Sequence, residues 1–271
     1  MGGELEFTSG RYDNISLEQY HKCKGWSKSA LDKVNKSMAH YLESCRNPPE
    51  PTPAQALGSA FHCRVLTPEL YESQYAIEPI LDKRTKAGKE MFADFQAENM
   101  GKTLISAGDA ALVEQMASSV LCHPVASQLL TDGDAEHSFF WTDPKTNLPC
   151  KCRPDYLRRD GIVIDLKKTV DASWFAFQRS IVNYRYHVQG AFFCDGVSHV
   201  TKELCNSFIL IAVEDKPPFA IGIYRLDSEA LNVGRTAYEM DLAKVVEYEK
   251  DKSWAGYPVY IQDMFLPAWV N

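Results

Sequence analysis

Residues 153–168 read Arg153-Pro154-Asp155-Tyr156-Leu157-Arg158-Arg159-Asp160-Gly161-Ile162-Val163-Ile164-Asp165-Leu166-Lys167-Lys168, and the placement of their charges decides the fold. Ile162-Val163-Ile164 is buried-strand material that follows the tight-turn pair Asp160-Gly161, so antiparallel strands are expected on either side of that turn. Asp165 and Lys167 stand two apart on the second strand and therefore project from one face. Charge placed directly after an apolar run needs a reason, because buried charge is costly unless it is paired or bound to metal. Asp155 and Asp165 are expected to reach the same end of this hairpin only if a strand bends.

Two carboxylates beside a lysine suit the hydrolysis of a phosphodiester with a hard divalent cation. The carboxylates offer oxygen ligands, the cation polarises the phosphoryl oxygen and acidifies bound water, and the lysine orients the nucleophile or balances developing charge. Alone, the pattern is weak, since two solvated strand ends with a surface ion pair share its spacing.

Outward from this hairpin, residues 137–142 read as a strand, 143–147 as a turn and 150–157 as a second strand, which makes a three-strand meander with 162–168. Cys150 and Cys152 share a strand face, but no second Cys/His pair accompanies them, which argues against zinc. No cysteine follows Cys205, which argues against a C-terminal iron–sulfur site. Downstream, a helical pattern over 172–197 breaks near Asn183, strands cover 208–213 and 219–226 with Pro217-Pro218 between them, and Ser228 opens a long helix. Upstream, Ser27 caps a helix with Leu31, Val34, Met38 and Tyr41 on one side, and 48–53 is an extended proline-rich loop. Leu57, Phe61 and Val65 mark a helix over 54–66 with His62 beside its apolar stripe, and further helices follow over 83–99 and after Ser106. The expected architecture is α/β (α+β), a mixed central sheet flanked by helices, in one domain over 1–271. Residues 1–134 are expected to be mainly helical, and residues 135–271 to form the core sheet and its helices.

The chain of 271 residues is long enough for a substantial core. Its net charge of −7 argues against a protein that coats nucleic acid generally, but leaves room for one confined basic groove. No apolar run approaches the roughly 20 residues of a membrane span, and residues 1–20 lack a signal-peptide pattern, so a cytoplasmic protein is expected.

Three further features fit the same chemistry. His62 lies on the early helix, Glu136 precedes the first strand of the meander, and Tyr184-Arg185-Tyr186-His187-Val188-Gln189 combines aromatic, basic and amide groups suited to DNA. Each has an ordinary alternative: a satisfied helix histidine, an exposed charge, an amphipathic helix packed on the sheet.

Taken together, Gly58-x-x-x-His62, Asp155, Asp165-x-Lys167 and the Gln189 segment resemble, in that order, the RecB-like branch of the PD-(D/E)XK nucleases. Trp26-Ser27-Lys28-Ser29-Ala30-Leu31-Asp32, residues 57–66, Lys86-Ala87-Gly88-Lys89-Glu90, Cys152-Arg153-Pro154-Asp155 and Leu266-Pro267-Ala268-Trp269 look similar to RecE-type exonuclease domains within that branch. The resemblance implies a restriction-endonuclease-like core with an N-terminal helical elaboration. It implies that His62, Asp155 and Asp165, with the Leu166 carbonyl, bind Mg²⁺ (Mn²⁺ substituting), and that Lys167 is the catalytic lysine. It further implies that Glu136 is an additional acidic site residue and that Gln189 matches the glutamine of a Gln-x-x-x-Tyr motif. Phe193 stands where that motif has tyrosine, so a hydroxyl would have to come from Tyr184 or Tyr186. Arg153, Lys168, Arg179, Tyr184, Arg185 and Tyr186 are the expected DNA contacts.

The implied activity is 5′-to-3′ degradation of one strand of linear double-stranded DNA, leaving 3′ tails for recombination by strand annealing. The implied partners are a RecT-like single-strand annealing protein and further copies of the chain in a ring, a tetramer being favoured, in a prophage-type system. Two alternatives stand beside it: a RecB-like nuclease cutting single strands or ends without processivity, and a catalytically weak DNA-binding or assembly module of the same fold.

Overall fold

The computed structural model describes residues 7–13, 15–251 and 256–265, so the Leu266-to-Trp269 motif and the first six residues of the segment read for a signal peptide lie outside the described residues. Its strands, in chain order, are β1 (Gly10–Tyr12), β2 (Tyr75–Ile77), β3 (Thr103–Ile105), β4 (Gly133–Ala135), β5 (Ser138–Thr142), β6 (Pro149–Cys152), β7 (Tyr156–Arg158), β8 (Ile162–Thr169), β9 (Ser207–Glu214) and β10 (Ile221–Arg225). Five form a mixed sheet in the order β10-β9-β8-β7-β4, in which β8 and β9 are parallel and the other pairs antiparallel. A three-stranded sheet, β1-β5-β6, lies beside it, and β2 and β3 make a small parallel pair. The mixed α/β architecture is as the sequence implies.

The pair β8–β9 is apolar on both faces because helices cover both. One core gathers Val163, Phe208, Leu210 and Ala212 under the helices Lys28–Lys36, Trp174–Asn183, Tyr186–Thr201 and Ser228–Asp251. The other gathers Ile164, Leu166, Ile211 and Val213 under the helices Pro53–Leu66 and Ala107–Cys122. Each fully buried Leu, Ile or Phe here stabilises the fold by about 1.5–3 kcal/mol relative to exposure. Gly234 sets how closely two of the helices approach, since a Cβ there would lie 2.2 Å from the His187 carbonyl oxygen. That contact seats the helix Tyr186–Thr201, which carries Gln189.

Three sequence expectations are corrected. The strand read over 150–157 is two strands in different sheets, β6 and β7, because Pro154 has no amide hydrogen for a ladder and the chain changes sheets at Arg153-Pro154-Asp155. No bend is needed to bring the aspartates together. The register Leu157↔Val163 and Tyr156↔Ile164, carried one step further, sets Asp155 directly opposite Asp165. The helix read from Ser27 to Tyr41 is two, Lys28–Lys36 and Met38–Arg46, parted by Ser37, whose extended backbone lets its hydroxyl cap the second helix at His40.

Candidate active site

The chain passes between the two main sheets twice, at Glu136-His137 and at Arg153-Pro154-Asp155, and the candidate site is built on this seam. Glu136 has a left-handed backbone, φ 57°, and its amide donates to the Asp155 carbonyl at 3.0 Å, so the two crossings are tied to each other. A left-handed non-glycine residue persists only where its surroundings over-determine it. Arg153 supplies that restraint: its Nε donates to Glu136 Oε2 at 2.8 Å and its Nη1 to the Ile15 carbonyl and to Ser138 Oγ, each at 3.0 Å.

His62 comes from the helix Pro53–Leu66, which starts with a Thr52–Gln55 capping box and Pro53 in its first turn. Ala60, Phe61, Cys63 and Val65 bury that helix, while His62 reaches Asp155 with Nδ1 3.4 Å from Oδ2. Ligand atoms of His62, Glu136 and Asp155 all lie within 4.8 Å of one another. One imidazole and two carboxylates at this spacing fit a small divalent cation, and the nitrogen donor suits Mn²⁺ better than Mg²⁺. The Leu166 amide donates to Asp155 Oδ2 at 2.8 Å, and its carbonyl points to the same side of β8, toward this cluster.

Asp165 is engaged differently. Gln189 Nε2 donates to its Oδ1 at 2.6 Å, and its Oδ2 faces Lys167 Nζ in an ion pair with no further partner. The expected metal set of His62, Asp155 and Asp165 is thus brought into one neighbourhood, and among the described residues the mutually close ligand atoms belong to His62, Glu136 and Asp155. Asp165 has a Lys167–Gln189 clamp on both of its oxygens.

The charges respond to burial and to one another. Burial and then the neighbouring Asp155 raise the Asp165 carboxyl to about 6, although the Lys167 ammonium pulls the other way. An ion pair alone would have lowered it; full burial of this carboxylate outweighs the pair. Burial disfavours the Lys167 cation, yet Asp165 and Asp155 together hold it above the ordinary lysine range. Burial also opposes charge on both members of the His62–Asp155 pair, but their mutual attraction leaves the imidazole raised and the carboxyl lowered. Glu136 is raised by burial and by Asp155, despite its bond to Arg153.

His62, Glu136, Asp155 and Gln189 open into a cleft of about 920 Å³ whose walls also include Tyr20, Lys28, Asp32, Glu69, Tyr75 and Phe193, with Asp165 buried beneath Gln189. Sequence reading passed over Tyr20, Glu69 and Tyr75, which carry no motif and reach the cleft only through the packing of elements distant in the chain. Phe193 is buried and packs edge-on against Phe208, so its position supplies no hydroxyl. Tyr186 lies with its ring centroid 4.9 Å from Lys167 Nζ, and Tyr184 stacks on Tyr186. Arg179 is exposed. Lys168 faces away from Lys167 and pairs with Asp215 at 3.1 Å.

Arg185 and Arg153, both expected as DNA contacts, are ion-paired within the fold. Arg185 donates to Asp32 at 3.0 Å and to Asp241 at 2.6 Å, and Asp241 is fully buried. With φ 55°, Arg185 forms the break between the helices Trp174–Asn183 and Tyr186–Thr201. Its guanidinium, like that of Arg153, is committed to carboxylates within the fold.

The family profile described as a PDDEXK-like domain of unknown function (DUF3799) matches residues 27–261. Among solved structures, the chain is similar to the crystal structure of a candidate exonuclease from Eubacterium rectale. The identity is 14% and the TM-score 0.62, over 89% of this chain and 88% of that one, a likeness of fold. The crystal structure of SSO0001 aligns at 14% identity over 79% of this chain and 84% of that one, with a TM-score of 0.28 that carries no argument. No curated protein matches the chain. No helix among the described residues is long and apolar enough to cross a membrane.

Proposed function

The chain belongs to the PDDEXK-like family DUF3799, and on that premise we propose that it is a divalent-metal-dependent deoxyribonuclease of RecE type. The observation that carries this reading is the convergence of His62, Glu136 and Asp155 beside the buried Asp165–Lys167–Gln189 clamp at one cleft. His62, Glu136 and Asp155, with the Leu166 carbonyl, would hold the cation, Mg²⁺ or Mn²⁺, which supplies Lewis acidity at the phosphoryl oxygen and an acidified water. Asp165 and Gln189 hold the Lys167 ammonium in place, and Lys167 is positioned to meet the charge that develops on the phosphate in the transition state. Glu136 stays at the site because Arg153 and the Asp155 carbonyl fix its side chain and backbone.

The proposed activity is degradation of linear duplex DNA from the 5′ end to mononucleotides, leaving a 3′ strand for annealing by a RecT-like partner. One metal site cannot choose a strand end, so polarity has to come from how the duplex is threaded. A ring of copies, a tetramer being favoured, would admit an end, exclude closed circles and make initiation fall steeply with salt. The test is a time course on linear duplex labelled separately at each end and on covalently closed circles, with magnesium and with chelator, beside light scattering against the 30.6 kDa chain. Mononucleotide release from the 5′ end, sparing of circles and a mass several times that of the chain are expected. Efficient nicking of circles by a monomer would replace this reading with an endonuclease of the same fold.

A further inference from the structure

From Asp171 to Asp195 the chain runs without a single acidic side chain between those two, in a molecule of net charge −7. This stretch contains the helix Trp174–Asn183, which packs Phe177 inward against Tyr186 and Tyr224 and turns Trp174, Phe175, Gln178, Arg179 and Val182 outward. Phe175 is 77% exposed and Trp174 56%, with their rings edge to face at 5.0 Å. Single exposed apolar side chains are ordinary on a protein surface; a row of large ones on one helix face, with arginine as its only charge, is not. The row leads to the site. Tyr184, 62% exposed, stacks on Tyr186 with ring centroids 5.6 Å apart and planes 26° from parallel, and Tyr186 in turn lies over Lys167.

We propose that the outer face of the helix Trp174–Asn183, continued by Tyr184, is a stacking platform for unpaired bases of the strand being cut. The inference rests on the nuclease reading and deepens it: the substrate strand is single-stranded where it approaches Lys167. Aromatic faces accept any base without sequence preference, and Arg179, the only charged side chain of this helix, complements the phosphates between the bases. At about 1.5 Å per helical residue the platform is about 15 Å long from Trp174 to Tyr184, the span of about four stacked nucleotides at 3.4 Å each. The ring stack that ends on Lys167 favours a strand over a second copy of the chain as the occupant, since a protein neighbour has no need of continuity with the chemistry.

The test is equilibrium binding, by fluorescence anisotropy in chelator, of a labelled thymidine 20-mer and of an abasic strand of equal length. The unsubstituted protein should bind the thymidine strand more tightly than the abasic one. Trp174→Ala and Phe175→Ala should each weaken thymidine-strand binding by roughly 5- to 150-fold and narrow the gap to the abasic strand. Because both side chains are exposed, melting temperature should stay unchanged. Phe175→Leu should behave as Phe175→Ala; recovery of binding by leucine would overturn stacking in favour of plain apolar contact. If the unsubstituted protein degrades DNA with magnesium while the variants bind the thymidine strand as it does, the platform falls and the nuclease reading stands. A fall in solution mass of Phe175→Ala with strand binding intact would assign the face to a second copy instead. No binding of either strand and no cleavage by the unsubstituted protein would remove both readings.

Discussion

Replacing Asp165 by asparagine should abolish cleavage and at the same time stabilise the metal-free protein above pH 6. Asp165 is fully buried, and burial together with Asp155 raises its carboxyl from 3.8 to about 6. A raised carboxyl means that the folded state keeps a proton which the unfolded chain has already released. Stability from this group is therefore greatest at low pH, falls as pH rises from about 4 to about 6, and levels off above that. At 1.36 kcal/mol per pH unit, the difference between the two values amounts to about 3 kcal/mol. Asparagine keeps the shape and one acceptor oxygen, so it matches the protonated carboxyl rather than the carboxylate, and it has no proton to lose. The Asp165→Asn protein should accordingly gain about 3 kcal/mol at pH 8, about half of that at pH 5, and only about 0.5 kcal/mol at pH 4. In a chain of this length the pH 8 gain corresponds to a rise in melting temperature of about 6–12 °C. Urea melts of both proteins in chelator between pH 4 and pH 8 measure it. Parallel pH dependence of the two, or a less stable variant at pH 8, would mean that the Lys167 pair outweighs burial and that the site is not held in a charged, strained state before metal arrives.

Lys167→Ala should keep metal and DNA affinity and lose turnover, because a positioned charge at a phosphoryl centre acts on the transition state; equal losses in affinity and in single-turnover rate would place Lys167 in general phosphate binding. His62→Ala should fold as the unsubstituted chain does but bind metal more weakly, with activity restored further by Mn²⁺ than by Mg²⁺, and a collapsed melting transition would instead make His62 a packing residue. Asp241→Ala should cost about 3–5 kcal/mol, a drop of about 6–20 °C in calorimetry, because it strands Arg185 and Asn35 at a buried carboxylate. A loss below about 1 kcal/mol would show that the Arg185 break does not depend on that ion pair.

Local pattern was enough to find the strand Ile162–Thr169, the helix with His62, the break near Asn183 and the common face of Asp165 and Lys167. These follow from side-chain periodicity, turn chemistry and caps, which act over a few residues and are written in the order of the chain. Three-dimensional packing decided the rest. Pro154 announced a break, but only the pairing of β5 with β1 and β6, and of β7 with β4 and β8, made that break a crossing between sheets. The crossing brings Glu136, which the sequence offers only as a candidate ahead of a strand, into the cluster with His62 and Asp155, while Asp165 pairs with Lys167 and Gln189. The grouping of His62, Glu136 and Asp155 depends on contacts between residues 17 to 93 positions apart, and no local rule reaches that far. The same holds for Arg185: a basic residue in an aromatic segment reads as a DNA contact, and its pairing with Asp32 and with the buried Asp241, each on a helix far along the chain, is visible only in the tertiary structure.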